Sequence, residues 1–480
     1  MSTTTSTDLA AAAWRRHLEF EPEEARMLGL PGEGRKSLRR LDAQLDLYRG
    51  LARAPEPEVG PGLQRLARLA LRRFERGEEH AGLERVLLPR LTAMPDAEGF
   101  VGEHLELLRE GLRRGSVAPL EVAEHFGDHE LPAIAARVEP GSAWHELLGF
   151  VRDELIPAAR ALGPDRWRLG EDEYAWRVAN MGVAASPRAI AEDARTLLRE
   201  QQARIVELLG VADFAAALPR LREITSERLG PGEVVPLHRA ATRRCVAFVR
   251  ERGLFDLPAD FEVPITHVAP ELASVTHAGN VPAPLFGEGG GSFTVLDVPD
   301  RHRRAWIEPL AVHEGVPGHY LQSWLWQRLF RARGAAPSFV SFADVTAAER
   351  QDWGAMLAIE GWAVYAEDLM LRAGFHAPLQ AVAVASFHSI RCARACIDVG
   401  LHTQAMSREA AVGLLVDEVG LDRPEAEREV LRSIRVPTQP LAYFAGWRAI
   451  ARLVEASGLS LADAHQRLLE CGPALPRSLE

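Results

Sequence analysis

The chain has few cysteines for its 480 residues: Cys245, Cys392, Cys396 and Cys471. No two of them have the C-x-x-C spacing that is typical of zinc ribbons and redox motifs. Cys392 and Cys396 lie one turn apart on a predicted helix, too close to the same axis for an easy disulfide, and we interpret them as small core residues. The sequence therefore argues against a disulfide scaffold and predicts a reducing, cytoplasmic location.

Long hydrophobic runs and an excess of basic charge are also missing. No apolar stretch approaches the roughly 18 residues of a membrane-spanning helix, and residues 1–8 lack the basic and apolar regions of a signal peptide. With 56 basic and 67 acidic residues the net charge is −11, and no basic stripe is interleaved with aromatic residues, as is typical of nucleic-acid binders. We expect a globular protein without a membrane or nucleic-acid partner, and the sequence leaves its oligomeric state open.

What the chain does contain is a ten-residue segment that begins at His313 and reads HEGVPGHYLQ. It starts like the zinc-peptidase signature H-E-x-x-H, in which two histidines one helical turn apart hold the metal. The second histidine of this chain is His319, and on a regular helix it would point roughly 240° away from His313. Because Pro317 cannot continue a helix and Gly318 tolerates unusual backbone angles, a break after Val316 would return the second histidine to the side of the first.

A candidate third ligand follows in the segment EGWAVYAE, which begins at Glu360. The helix around it is predicted to start near Thr346, at a capping box, and to stop at Gly374. Within this helix Glu360 has apolar neighbours, and a carboxylate in such surroundings is costly unless it is paired or bound to a cation. Two histidines, one glutamate and an open position for water form a recurrent catalytic zinc shell.

We therefore predict that one Zn²⁺ per chain binds to His313, His319 and Glu360, with Glu314 as the general base for a water molecule. The alternative is that the two histidines are satisfied core or interface residues and that Glu360 belongs to a buried ion pair. The combination of H-E-x-x-P-G-H with a helix that carries E-G-W favours the metal.

The two motifs together resemble those of a bacterial family known as domain of unknown function 885, whose members carry H-E-x-x-P-G-H-x-L-Q and E-G-W-A-x-Y-x-E. The resemblance covers roughly residues 165–450 and includes the segments 391–402 and 437–443. It implies a helical zinc metallopeptidase with the metal ligands and base given above, and it adds Tyr443 as the phenol that stabilises the oxyanion. We expect the Tyr443 oxygen within roughly 4 to 7 Å of the metal; the alternative is ordinary aromatic packing. The chain departs from the family at Phe444, where a lysine is usual.

Four polar side chains, those of Arg391, Arg394, Asp398 and His402, share one face of a helix whose other residues are mainly apolar. Polar groups on a buried helix must find partners. One interpretation is an internal network that braces neighbouring helices. The other is that Arg391 and Arg394 hold a carboxylate of the substrate, with His402 or Asp398 behind them. Gln439 follows a proline break and offers a donor and an acceptor to a substrate amide.

Residues 256–300 differ from the rest of the chain because proline and glycine become frequent. Two segments, 261–267 and 292–298, have β-strand character, and the glycine run at 286–291 between them is predicted to be a hairpin tip. Without a following G-K-S/T the run is not a P-loop. An alternative role for this region is an exposed strand edge that pairs with an extended substrate backbone.

Helical patterns dominate the remainder: residues 8 to about 255 are helical almost throughout, and helices return after the histidine motif. The expected fold is therefore mainly α. We expect one large metallopeptidase-like domain over residues 8–480, with a small β-hairpin or edge strand next to the active site. Within it we distinguish a helical N-terminal part, 8–165, and a motif-bearing catalytic part, 166–450.

The expected function is that of a zinc-dependent hydrolase that cleaves a peptide or small amide bond. The arginine pair makes a carboxylate-bearing substrate attractive. Two alternatives remain open: a metal-dependent tailoring enzyme that acts on a non-peptide small molecule, and a helical binding protein that has lost catalysis. Glu314 argues against the second, because a purely structural metal site needs no base.

Overall fold

Helices dominate the computed structural model of the chain, as the sequence predicts. The structure describes residues 6–91, 94–268, 276–333, 354–473, 475–476 and 479. In the N-terminal part the α-helices span Ser6–Leu18, Pro22–Met27, Leu41–Arg53, Glu56–Val59, Pro61–Glu75, Leu87–Leu91, Ala97–Arg113, Leu120–His125, Leu131–Ala135, Ala143–Phe150 and Ile156–Leu162. After residue 166 they span Glu171–Asn180, Pro187–Leu209, Phe214–Ser226, Val234–Glu251, Ile307–Leu310, His319–Arg333, Met356–Arg372, Pro378–His402, Arg408–Leu414, Arg423–Arg435, Gln439–Ala456 and Leu461–Glu470. Single π-helical turns lie at Phe126–Glu130, Val151–Leu155, Ala311–Gly315 and Leu415–Val419.

Five of these helices are used to describe the candidate site, and each is named after one residue. They are the His319 helix (His319–Arg333), the Glu360 helix (Met356–Arg372), the Arg391 helix (Pro378–His402), the Arg432 helix (Arg423–Arg435) and the Tyr443 helix (Gln439–Ala456). The Arg391 helix lies at the centre of the core, because nearly all of its residues from Ala381 onward are buried. It packs against Pro187–Leu209 on one side and the Tyr443 helix on another.

The Glu360 helix ends as the sequence predicts. Its last residue is Arg372, and Gly374 takes a left-handed φ of 79°, which glycine adopts without steric cost. Its predicted start near Thr346 lies outside the described residues. The described part is buried at most positions, so a helix that carries several ionisable groups runs through the interior.

The Glu360 and Tyr443 helices cross at two glycines. A Cβ atom on Gly361 would lie 2.4 Å from the carbonyl carbon of Gly446, and one on Gly446 would lie 2.1 Å from the carbonyl oxygen of Leu357. Only glycine permits this approach of one backbone to another. Because Glu360 precedes the first glycine and Tyr443 lies one turn before the second, the crossing brings their two turns together.

Three short strands form the sheet: β1 (Ile265–His267), β2 (Ala278–Val281) and β3 (Ser292–Val295), in the order β1-β3-β2. β3 pairs in parallel with β1 and antiparallel with β2. The two predicted β-segments are therefore neighbours, but they are not the two arms of one hairpin. The hairpin consists of β2 and β3, with the glycine run in the connection between them. Prediction missed β2 because its sequence, AGNV, has a single β-branched residue.

The N-terminal helices pack against the His319 helix. Trp14 and Leu63 share one buried apolar cluster with Leu285, from the glycine-rich connection, and with Trp326 and Phe330 of the His319 helix. The N-terminal part therefore supports the helix that begins with a candidate metal ligand. Within the described ranges, no helix combines the length and the hydropathy needed to cross a bilayer.

Candidate metal centre

The chain leaves its helix at the point that the sequence predicts. A π-helical turn ends at Gly315, Val316 is extended with φ −128° and ψ 129°, and the next helix begins at His319. Glycine is required at position 318, because a Cβ atom there would lie 1.9 Å from the carbonyl oxygen of His313. The predicted break is confirmed, and it makes neighbours of two histidines that a continuous helix would turn apart.

His313, His319 and Glu360 converge on one point. Their donor atoms all lie within 4.8 Å of one another, and Nε2 of each histidine is 3.5 Å from Oε2 of Glu360. A tetrahedral zinc ion with bonds of about 2.1 Å has its ligand atoms roughly 3.4 Å apart. All three side chains are buried, and Oε2 of Glu360 has no hydrogen-bond partner among the described residues. The donor set and its spacing fit a divalent cation such as zinc.

The charges of the cluster favour a cation. Burial alone would raise the pKa of Glu360, but the imidazoles of His313 and His319 outweigh burial and hold that pKa well below its usual range. Burial would likewise lower the pKa of His313, and its contacts with Glu360 and Glu367 instead raise the pKa to about 10. The carboxylate is therefore ionised, and a proton and a metal ion compete for the same buried position.

Glu367 fixes the orientation of His313 and was not predicted as a site residue. Its Oε1 atom accepts a hydrogen bond from Nδ1 of His313 at 2.6 Å and one from Nη2 of Arg391 at 3.2 Å. Nε2 of His388 lies 3.3 Å from its other oxygen. With Nδ1 of His313 engaged as a donor, the lone pair of Nε2 is free to face a metal. A signal existed in the sequence, since Glu367 follows Glu360 by two helical turns and shares its face.

Glu314 is half-buried and directly follows the first histidine. Among the described residues, no hydrogen bond engages its carboxylate, whereas its backbone oxygen lies 3.5 Å from Nδ2 of Asn280 in β2. This contact brings the edge strand β2 beside the histidine turn, so the small sheet lies next to the candidate site. The carboxylate is available to a water molecule or another ligand.

The two arginines predicted to bind a substrate carboxylate have protein carboxylates as partners. Arg391 donates to Glu367 at 3.2 Å. Arg394 makes a two-pronged contact with Glu429, in which both hydrogen bonds are 2.7 Å long. The contacts favour the internal network over direct binding of substrate by this pair. Arg391 still belongs to the candidate site, because Glu367 joins it to the candidate ligand His313.

Asp398 and His402 also belong to an internal network. Asp398 accepts hydrogen bonds from the Tyr174 hydroxyl at 2.5 Å and from the backbone N–H of Thr438 at 3.0 Å. Nε2 of His402 lies 2.9 Å from the carbonyl oxygen of Ser433, and its ring stacks on Tyr174 at 5.6 Å. These side chains brace the segment that leads into the Tyr443 helix.

Tyr443 belongs to a hydrogen-bonded group with Gln439 and Arg432. The Arg432 guanidinium donates to the Tyr443 hydroxyl at 3.1 Å and to Oε1 of Gln439 at 2.9 Å. Burial alone would lower the pKa of Arg432. Tyr443, Glu429 and Glu360 lie close enough to outweigh burial and raise that pKa. The Tyr443 helix packs against the Glu360 helix at the glycine crossing, and the distance from the Tyr443 oxygen to a bound metal stays a prediction.

Arg432 is the second residue of the site that sequence reasoning missed. Its helix carries four arginines, and nothing in their local sequence distinguishes one from another. The partners of Arg432 follow 7 and 11 residues later, on a different helix. Only the packing of the two helices makes it a neighbour of Tyr443.

Known proteins share this fold. A solved structure of a candidate lipoprotein of unknown function from Shewanella oneidensis is 15% identical, with a TM-score of 0.70 over 98% of each chain. One of a candidate lipoprotein from Colwellia psychrerythraea is 14% identical, with a TM-score of 0.67 over 99% of this chain and 97% of that one. No curated protein matches the chain. The model of a family described as "Bacterial protein of unknown function (DUF885)" matches residues 92–480, which include every residue of the candidate site, and the chain belongs to this family.

Proposed function

We propose that this protein is a zinc-dependent hydrolase that cleaves a peptide or small amide bond. One observation carries the proposal: the donor atoms of His313, His319 and Glu360 lie within 4.8 Å of one another, and Glu314 follows the first of them directly. Zinc bound by these three residues would polarise a carbonyl group and a water molecule. A metal that only stabilised the fold would need no free carboxylate beside it.

The protein's own residues have separate tasks in this reaction. Glu367 holds His313 through Nδ1 and so fixes the direction of Nε2. Glu314 takes a proton from the water whose oxygen attacks the carbonyl carbon. The carbon–nitrogen bond then breaks, and Glu314 passes that proton to the leaving amine. Tyr443 donates a hydrogen bond to the oxyanion that forms between the two steps.

Metal analysis of the purified protein tests the proposal first. We expect about one zinc ion per chain, removable by a chelator and restored by added zinc. The metal-loaded protein is then screened against peptides and N-acyl amino acids, with the chelated protein as the matched control. Hydrolysis by the loaded protein alone supports the proposal. A metal-free protein that cannot be loaded contradicts it.

We also propose a cytoplasmic location, on the strength of the cysteine content. The structure has all four cysteines as free thiols. The two solved proteins are described as candidate lipoproteins, and that description favours a location outside the cytoplasm. Fractionation of the native host, with the protein detected by an antibody, distinguishes the two: recovery with the membrane or extracellular fraction contradicts the proposal.

A further inference from the structure

Arg391, Arg394 and Arg432 lie around the candidate metal centre, and among the described residues no carboxylate contacts Arg432 directly. Arg391 contacts Glu367, and Arg394 is bound by Glu429 through two hydrogen bonds. The hydrogen bonds of Arg432 go to two uncharged oxygens, Oε1 of Gln439 and the hydroxyl of Tyr443, and the described residues give it no ion pair.

The carboxylates that lie farther from Arg432 have other partners. Glu429 and Glu360 help to raise the pKa of the guanidinium, but Glu429 is bound to Arg394. Once a divalent cation is bound, the charge of Glu360 is directed at that cation. Burial raises the pKa of Asp398 to about 7, so this nearby carboxyl carries only part of a charge at neutral pH. The metal-loaded site would therefore leave Arg432 as a half-buried cation without a dedicated counter-ion.

Such a cation has a natural ligand in an anionic substrate. A half-buried guanidinium presents several N–H donors in a fixed plane that matches a carboxylate, and a charge-assisted pair of this kind is stronger than a hydrogen bond between neutral groups. Two of its donors hold Gln439 and Tyr443. The remaining N–H groups of Arg432 can bind another oxygen-bearing group.

The hydrogen bond between Arg432 and Tyr443 also sets a distance. The two groups are 3.1 Å apart. A carboxylate bound to the guanidinium and an oxyanion bound to the phenol would therefore be close enough to belong to neighbouring residues of one substrate, since consecutive Cα atoms are about 3.8 Å apart. A ligand that bridges both groups has its carboxylate on the residue that follows the scissile bond.

We propose that Arg432 binds the free carboxylate of the substrate, so that the protein cleaves the last bond before an unmodified C-terminal carboxylate in a peptide or an N-acyl amino acid. This assignment rests on the proposed hydrolase function and names its substrate class. It moves the carboxylate-binding role from Arg391 and Arg394, for which the sequence offers it as one of two interpretations, to a residue on a different helix.

The test compares two ligands that differ only in charge. The first ligand, 2-benzyl-3-(hydroxycarbamoyl)propanoate, carries a zinc-binding hydroxamate and a carboxylate one residue apart. In the second ligand an uncharged carboxamide replaces the carboxylate. Their dissociation constants are measured by calorimetry on the zinc-loaded full chain. The wild type should bind the carboxylate at least about tenfold more tightly than the carboxamide, as expected for a charged hydrogen-bonded pair. Equal affinities would overturn the proposal.

Substitutions identify the residue responsible. Arg432→Met should reduce the preference to about twofold or less, with a much smaller loss of affinity for the carboxamide than for the carboxylate. Retained binding of the carboxamide shows that the site is intact. Arg428→Met is the matched control, because Arg428 is on the same helix with its side chain 65% exposed, and it should retain the preference. If Arg432→Met does not fold, Arg432→Gln serves in its place. A preference that survives in the substituted protein would overturn the assignment.

A failure of the hydrolase proposal would give a different result from a failure of the Arg432 assignment. Acetohydroxamate, which needs only the metal, is titrated in parallel. If the protein binds zinc and acetohydroxamate but prefers neither benzyl ligand, the role of Arg432 is wrong and the hydrolase proposal stands. If the protein takes up no zinc, both proposals fall.

Discussion

Nδ1 of His313 donates a hydrogen bond to Glu367 at 2.6 Å, and both side chains are buried. The two residues come from different helices, 54 positions apart. Glu367 is itself held by Arg391, so the imidazole is held in one orientation, with Nδ1 as a hydrogen-bond donor. If His313 holds zinc as proposed, such a carboxylate behind it would fix the orientation of the ring and raise the basicity of the ligand.

Substitution of Glu367 by Gln should weaken zinc binding by about 10- to 100-fold, because the amide cannot stabilise the imidazole in the same way. Competition with a chromophoric chelator measures this affinity. Asp368→Asn is the matched control, since Asp368 is the next residue and contacts Arg372 at 3.0 Å. An unchanged zinc affinity in a folded Glu367→Gln protein would remove Glu367 from the site.

Glu314 and Glu360 should respond differently to the same chemical change. Glu314→Gln should keep its zinc and lose most of its turnover, because an amide preserves shape but accepts no proton. Glu360→Gln should lose zinc first, since the amide lacks the charge of the carboxylate ligand. Metal content is measured by mass spectrometry beside the rate on a hit from the peptide screen. Two variants with full metal and full activity would show that base and ligand are wrongly assigned.

The glycine crossing between the Glu360 and Tyr443 helices predicts a large effect of one methyl group. Gly361→Ala puts a Cβ atom 2.4 Å from the Gly446 backbone, and the forced separation should cost about 1–3 kcal/mol. Gly102→Ala, in a helix where a Cβ meets nothing within 4 Å, should instead stabilise by up to about 1 kcal/mol. Thermal unfolding compares the two. A Gly361→Ala protein as stable as the wild type would mean that the helices cross farther apart.

His465 should contribute to acid destabilisation. Its burial lowers the pKa from 6.5 to about 4, and its Nε2 atom lies 2.9 Å from the Tyr365 hydroxyl. Below pH 6.5 the unfolded chain binds a proton that the folded protein refuses, so stability is present above pH 6.5 and is lost as the pH falls towards 4.

Urea unfolding at pH 7.5 and pH 5 measures this loss. From pH 7.5 to pH 5 the free energy of unfolding should fall less in His465→Gln than in the wild type. The difference should be up to about 2 kcal/mol, which is the contribution of one such histidine. His145→Gln is the control, because His145 is half-buried. The same pH dependence in His465→Gln and the wild type would contradict the assignment.

Local features of the sequence were sufficient to predict the backbone of the candidate metal centre. Pro317 and Gly318 predict where the helix breaks, and Gly374 predicts the end of the Glu360 helix. The return of His319 to the side of His313 needed no more than this break, whereas the approach of Glu360 depends on how its helix packs.

Long-range partners were beyond sequence reasoning. Whether Arg394 holds a substrate or Glu429 depends on which helix packs beside it, and no local pattern encodes that choice. Strand β2 was not predicted, because its pairing with β3, rather than its own β-propensity, makes it a strand. The three candidate ligands could be found from the sequence, but the pairing of the charges around them, through Glu367 and Arg432, could not.

Tyr443→Phe should lower kcat and kcat/KM together, because the hydroxyl acts on an oxyanion that exists only in the transition state. The loss should reach about 100-fold, the scale for removal of one oxyanion donor, while zinc content stays at the wild-type value. Tyr365→Phe is the matched control: its hydroxyl contacts His465, so it should change thermal stability and leave kcat unaltered. If Tyr443→Phe retains the wild-type kcat, its hydrogen bond with Arg432 serves packing alone and the oxyanion must be stabilised by another group.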